Sequence, residues 1–295
     1  MAEVVEELRA LARDLLTKGA VQVFVGYGEG SVPGRTAPTI ITTAGRAGEL
    51  VWNKHCLNNL AVYLTRNEVT KRGRVGLVVK GCDARAVTGL LQEGQATREK
   101  VVIIGMACDG MGEPLLEMCK HCDAHMPAGP GADAHHLACD YIIGKATAPD
   151  VAPEDGGACY ADVAKIEALP PAERWAFWQE QFGRCVKCYA CRQVCPLCYC
   201  KRCLAEKNEP QWLMSSAHAA GNFAWHVARA MHLAGRCVGC GACERACPQH
   251  IPLSLLSKKM AKAVLQHFKY RAGCDPAATP AVKTFDPSDK NDFFR

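Results

Sequence analysis

Two runs of identical cysteine spacing, Cys185-x2-Cys188-x2-Cys191-x3-Cys195-Pro196 and Cys237-x2-Cys240-x2-Cys243-x3-Cys247-Pro248, constrain this chain more than any other feature. A cubane iron-sulfur cluster needs four thiolates converging on four irons. The short x2 gaps let one tight loop supply three of them, and in the crossed arrangement the cysteine before proline serves the other run's cluster. The expected ligand sets are therefore Cys185, Cys188, Cys191 and Cys247 for one 4Fe-4S cluster, and Cys237, Cys240, Cys243 and Cys195 for a second. Pro196 and Pro248 turn the chain after each ligand. Tetrahedral zinc takes two Cys-x2-Cys pairs, whereas each run offers three plus one, so the spacing favours clusters.

Nineteen cysteines, odd in number and clustered, fit metal ligation better than a disulfide framework. The first residues carry Glu3, Glu6 and Glu7 and no long apolar core, so no export and a cytoplasmic location are expected. Val75 to Val79 and Val101 to Met106 fall far short of the roughly 18 residues that span a bilayer, so direct membrane insertion is not expected. A formal charge of +5 leaves no nucleic-acid footprint. Arg184, Lys187, Arg192, Lys201, Arg202 and Lys207 crowd the first run. They either favour the extra electron of a reduced cluster or form a solvated face.

The hydrophobic pattern divides the chain. A helix over 4–16, a strand over Val21 to Val25 ending at Gly26, a strand over Arg74 to Lys80, a helix over Ala84 to Glu93 and a strand over Lys100 to Met106 give a βαβ rhythm. The expected fold is an N-terminal α/β domain (1–148) with a small, partly parallel sheet, then a mainly helical, dicluster ferredoxin-like domain (184–275) with a helical insertion. Between them, 149–183 reads as a linker and a helix opened by Pro170 and Pro171, with Trp175, Trp178 and Phe182 on one face. Further helices are expected over Trp212 to Ala234, interrupted near Gly221, and over Leu253 to Ala272. The tail, 276–295, ends in Asp292-Phe293-Phe294-Arg295 and reads as a docking peptide for another subunit, or as a segment packed on its own domain.

A third constellation lies in the α/β half. Cys82 and Cys108 end two strands, at the sheet edge where α/β folds build sites, and Cys119-x2-Cys122 follows in a loop able to fold back over that edge. These four make a third 4Fe-4S site. The alternatives are zinc on Cys119, Cys122, His125 and one of His135, His136 or Cys139, or plain burial of Cys82 or Cys108. Cys198, Cys200 and Cys203 extend the first run. They could join Cys56, Cys139 or Cys159 in a fourth cluster, hold a structural metal, or remain reduced thiols, and Cys274 is expected to be free. Gly26-Tyr27-Gly28-Glu29-Gly30 lacks the dinucleotide fingerprint, because Ser31 replaces the third spaced glycine and Pro33 follows, so a glycine-rich turn is the default.

With Lys80-Gly81-Cys82-Asp83, Cys108-Asp109-Gly110-Met111, Cys119-x2-Cys122 and Tyr141-Ile142-Ile143-Gly144, the N-terminal half resembles the beta subunits of deazaflavin-reducing hydrogenases and formate dehydrogenases. In that family cysteines in this order lie beside a flavin. The resemblance favours the cluster at Cys82, Cys108, Cys119 and Cys122. It also implies FAD or FMN near Gly26, Gly28, Gly30 and Arg35; Thr42, Thr43, Lys54 and Asn58 are the next candidates, with no motif behind them. His232 to Cys237 and Ile251-Pro252-Leu253 look like the dicluster subunits found with formate dehydrogenases and heterodisulfide-reductase-type complexes of anaerobes.

The expected function is an electron relay within a multi-subunit cytoplasmic oxidoreductase complex, carrying single electrons between a catalytic or flavin subunit and its redox partner. The alternatives are a flavin-bearing catalytic subunit exchanging hydride with a nicotinamide or deazaflavin, and a zinc-stabilised interaction module. No Ser-His-Asp order, acid/base carboxylate pair or phosphate loop is defensible, so a relay is favoured over an independent catalyst.

Overall fold

Short β-branched runs pair into one sheet in the computed structural model, which describes residues 2–132, 136–147 and 158–285. The strands are β1 (Val23–Glu29), β2 (Thr36–Ile41), β3 (Val75–Val79), β4 (Val101–Met106) and β5 (Tyr141–Ile143), in the order β2-β1-β3-β4-β5. β1, β3, β4 and β5 run parallel, and β2 returns antiparallel to β1 as an edge strand. The central strands β3 and β4 are buried along their whole length, as parallel strands covered on both faces must be.

The helices are α1 (Ala2–Thr17), α2 (Asn67–Thr70), α3 (Gly81–Gln92), α4 (Ala161–Glu167), α5 (Pro171–Gly183), α6 (Ala190–Gln193), α7 (Ala219–His232), α8 (Ala242–Arg245) and α9 (Leu253–Phe268). α3 is the expected crossover between β3 and β4. The β1 to β3 crossover is built instead from 3-10 turns and the short α2.

Several expectations need correction. β1 does not end at Gly26: the strand continues to Glu29, so Gly26 and Gly28 are hairpin residues and not a loop after a strand. A Cβ on Gly28 would lie 2.3 Å from Thr39 Oγ1, so close cross-strand packing explains that glycine. β2 was hidden by Pro38, which an edge strand tolerates, and β5 by its brevity. α7 begins at Ala219, where His218 caps the helix by accepting from Gly221 N, and not at Trp212. α9 stops at Phe268 because Lys269 takes the left-handed conformation, φ 53°.

The two halves share one core. Leu197 and Leu233 join the cluster built on the sheet. Arg236 Nε bonds Glu93 Oε1 at 2.8 Å, and Arg245 Nη2 donates to Leu57 O at 2.8 Å. The first part of the expected docking tail lies on the chain's own α3, where Gln92 Nε2 donates to Ala278 O at 2.8 Å. Residues 149–157 of the expected linker and the terminal phenylalanines lie outside the described residues.

Candidate metal centres

The two cysteine runs fold alike. Lys187 and Tyr189 in the first occupy the left-handed region, as Gly239 and Gly241 do at the equivalent positions of the second. Each left-handed pair curls the chain so that a short helix, α6 or α8, carries the third cysteine back toward the first two. Gly241 also makes room, since a Cβ there would meet Met118 Cε at 1.7 Å, whereas Gly239 has open space and answers only the backbone angle.

Cys185, Cys188, Cys191 and Cys247 line one small cavity, walled by Tyr189, Trp225, Ile251 and Leu253. Three cysteines come from the first run and the last from the second, as the crossed pattern requires. Lys187 N approaches Cys185 Sγ at 3.4 Å. His226, on α7, also lines this cavity; both ring nitrogens are buried without a protein partner, and burial holds its pKa down to about 4. Cys195, Cys237, Cys240 and Cys243 line a second cavity together with Arg229. The amides of Gly239 and Ala242 donate to Cys237 and Cys240.

A third and larger cavity, of about 130 Å³, is lined by Cys82, Cys108, Cys119 and Cys122. Cys82 sits in the first turn of α3, where burial and the neighbouring Asp83 raise its thiol pKa well above the ordinary value. Gly81 beside it lets the Cys119 to Ala124 loop close, for a Cβ there would lie 2.0 Å from Ala124 O. Asp123 locks that loop. Arg85 Nη1 bonds its carboxylate at 2.8 Å and Arg271 bonds the other oxygen. Burial alone would raise its pKa, but the two guanidiniums pull it down to about 2.

Sequence reasoning missed a buried cation at this wall. Lys80 is 3% exposed, with Nζ 2.8 Å from Asp83 Oδ2 and 2.9 Å from Asn58 O, and it also reaches Tyr27 Oη. Burial opposes its charge, but Asp83 and Tyr27 hold its pKa well above the ordinary lysine value. A lysine closing an all-apolar strand was the available signal.

Burial pushes the thiols up: Cys108, Cys191 and Cys243 to about 11, and Cys237 to about 12. Such groups ionise only when a positive partner, such as a metal, replaces the lost hydration. Among the described residues no three His, Cys, Asp or Glu side chains come close enough to grip a single ion. Sulfurs around one zinc lie about 3.8 Å apart, whereas a four-iron cubane spreads its ligands more widely. The donor sets, at least four cysteines lining each of the three cavities, and the buried donors without partners, Arg229 Nε and Asn59 Nδ2, fit the larger group.

The remaining nominated residues are scattered. Cys139 is buried beneath β4 and His125 Nδ1 is 2.8 Å from Cys108 O, so the zinc grouping is not assembled among the described residues, outside which His135 lies. Of the fourth-cluster candidates, Cys198 contacts Cys195 and lies within electrostatic reach of Cys203, Cys203 packs on the small core of the first site, and Cys200 is exposed. Cys56 is buried beside Asn53, and Cys159 lines the third cavity. Of the residues nominated for a flavin, Arg35 and Asn58 share a cavity of about 340 Å³ with His55, Arg66 and Arg245; Gly26, Gly28 and Gly30 do not reach it.

A family model described as a 4Fe-4S dicluster domain matches residues 184–252. The F420-dependent formate dehydrogenase subunit beta of Methanocaldococcus jannaschii is 33% identical over 115 residues, 39% of this chain and 29% of that protein. The F420-dependent formate dehydrogenase 1 subunit beta of Methanococcus maripaludis is 23% identical over 92% of each chain. The chain thus spans less than a third of the first relative and nearly all of the second. The chain is therefore similar to formate dehydrogenase beta subunits, and its residues 184–252 match a 4Fe-4S dicluster domain.

Proposed function

We propose that this chain is an iron-sulfur electron-transfer subunit of a formate-dehydrogenase-type complex, holding three 4Fe-4S clusters in line. The observation that carries the reading is the adjacency of the cysteine cavities. Cys237 and Cys240 line both the second and the third, and Cys191 of the first lies near Cys243 of the second. The proposed ligands are Cys185, Cys188, Cys191 and Cys247; Cys195, Cys237, Cys240 and Cys243; and Cys82, Cys108, Cys119 and Cys122.

Bound clusters supply reversible one-electron storage. The chain's own residues set its conditions. Trp225, Ile251 and Leu253 give the first site an apolar wall, and loop amides offset thiolate charge at the second. Lys80 fixes a cation beside the third.

Anoxically isolated protein should contain about twelve iron and twelve acid-labile sulfide atoms per chain and give paramagnetic signals after dithionite. Zinc with little iron would end the reading. Other subunits should copurify under the same conditions, as the relatives' names suggest.

A second reading adds a flavin, because the cavity of Arg35, His55, Asn58, Arg66 and Arg245 joins three guanidiniums in a space that suits a phosphate-bearing ligand. Flavin absorbance retained through desalting supports it, and its loss returns the chain to a pure relay. No helix among the described residues is long and apolar enough to cross a membrane.

A further inference from the structure

The segment between the two cysteine runs delivers α7 to the cluster region, and with it Arg229. This arginine is 6% exposed. Its Nη2 donates to the Cys191 carbonyl at 3.1 Å, while its Nε has no partner. The groups within electrostatic reach of it include four cysteine sulfurs, those of Cys243, Cys195, Cys198 and Cys191. Cys191 lines the first cavity, Cys195 and Cys243 the second, and Arg229 itself lines the second.

A buried guanidinium without a carboxylate is costly unless another anion meets it. Thiolate-ligated clusters are anionic and lie on both sides. We propose that Arg229 is the shared counter-cation of the two dicluster sites, a positioning residue whose fixed charge eases addition of one electron to either cluster. The inference rests on the cluster reading above.

The position decides the behaviour. A charge added at either site interacts with Arg229 through protein, where salt screens little, whereas Lys201, Arg202 and Lys207 are exposed and screened. Removing the Arg229 charge should therefore move both clusters in the same direction and do so at high salt as well as low.

The test is a dithionite titration of the full, anoxically reconstituted chain, followed by paramagnetic resonance, with iron and sulfide counted in every sample. Arg229→Met should shift the reduction equilibrium of both clusters at least tenfold toward the oxidised form, about 59 mV for one electron. Arg229→Lys should restore most of that shift, and Lys201→Ala should leave it unchanged. Full iron content with unmoved potentials in Arg229→Met overturns the proposal, and so does an equal shift in Arg229→Lys. If the methionine variant loses iron, Arg229→Gln, which can still donate to the Cys191 carbonyl, carries the same expectation. Iron loss in both neutral variants but not in Arg229→Lys also supports the charge. Iron loss in all three overturns it, since shape would then be what the site needs. Wild-type protein without iron or signals instead defeats the cluster reading itself.

Discussion

Cys82 at the sheet edge and Cys240 in the second cysteine run face one cavity, close enough that the charge of either acts on the other. This single relationship joins the α/β half to the dicluster half. It implies that the third site is electrically coupled to the second. Cys82→Ala should lower iron from about twelve to about eight atoms per chain. It should also change the line shape of the second site's reduced signal, by removing its paramagnetic neighbour. Iron content unchanged from wild type would exclude Cys82 as a ligand.

Gly81→Ala tests how the third site closes. The added methyl meets the Ala124 backbone, which has no flexible end to swing away. The Cys119 to Cys122 loop should be pushed off α3, with loss of about four iron atoms and the dicluster signals retained. Gly45 has open space around it, so Gly45→Ala should keep full iron and serves as the control.

Asp123→Asn removes the charge that Arg85 and Arg271 share. Their side chains are 17% and 30% exposed, and the carboxylate 7%. Loss of charge-assisted bonds this well buried should cost about 2 kcal/mol. It would appear as cluster bleaching at lower urea at pH 7. Because folding depresses this carboxyl from 3.8 to about 2, its stabilisation is full above the unfolded value and fades as pH falls through that interval. Equal urea resistance in both proteins would show that the clamp is idle.

The left-handed residues separate backbone cost from packing. Gly241→Ala must adopt a strained angle and displace Met118, costing about 1–2 kcal/mol and speeding iron release to a chelator. Tyr189→Gly at the equivalent position relieves the same strain but gives up a ring 4.9 Å from Trp225. The two terms are similar, about 1 kcal/mol each, so iron release should stay near wild type. Faster release from Tyr189→Gly than from Gly241→Ala would reverse this assignment.

Stripping iron should affect the two halves unequally. The small core around the first site buries only Cys191, Trp225, Ile251 and Leu253, too little to fold without metal. The sheet core is far larger. Hydrogen exchange after chelation should therefore expose amides over 185–195 and 237–247 while β3 and β4 stay protected. Uniform protection throughout would contradict it.

The dicluster half was readable from residue order because its chemistry is local: spacing of three plus one, repeated with proline, prescribes loops that present sulfurs together wherever they fold. The parallel strands and α3 were legible for the same reason, since β-branched runs and a helical stripe carry their own period. Folding in three dimensions alone decided the rest. Gly26 and Gly28 looked like a loop until β2, masked by Pro38, paired with them. Lys80, Asp123 and Arg229 gain their roles from partners distant in the chain, Tyr27, Arg271 and Cys191, and no periodicity records such meetings. Nor could spacing show that Cys237 and Cys240 stand at a wall between two cavities, because adjacency of sites depends on how separately stable loops are packed onto one sheet.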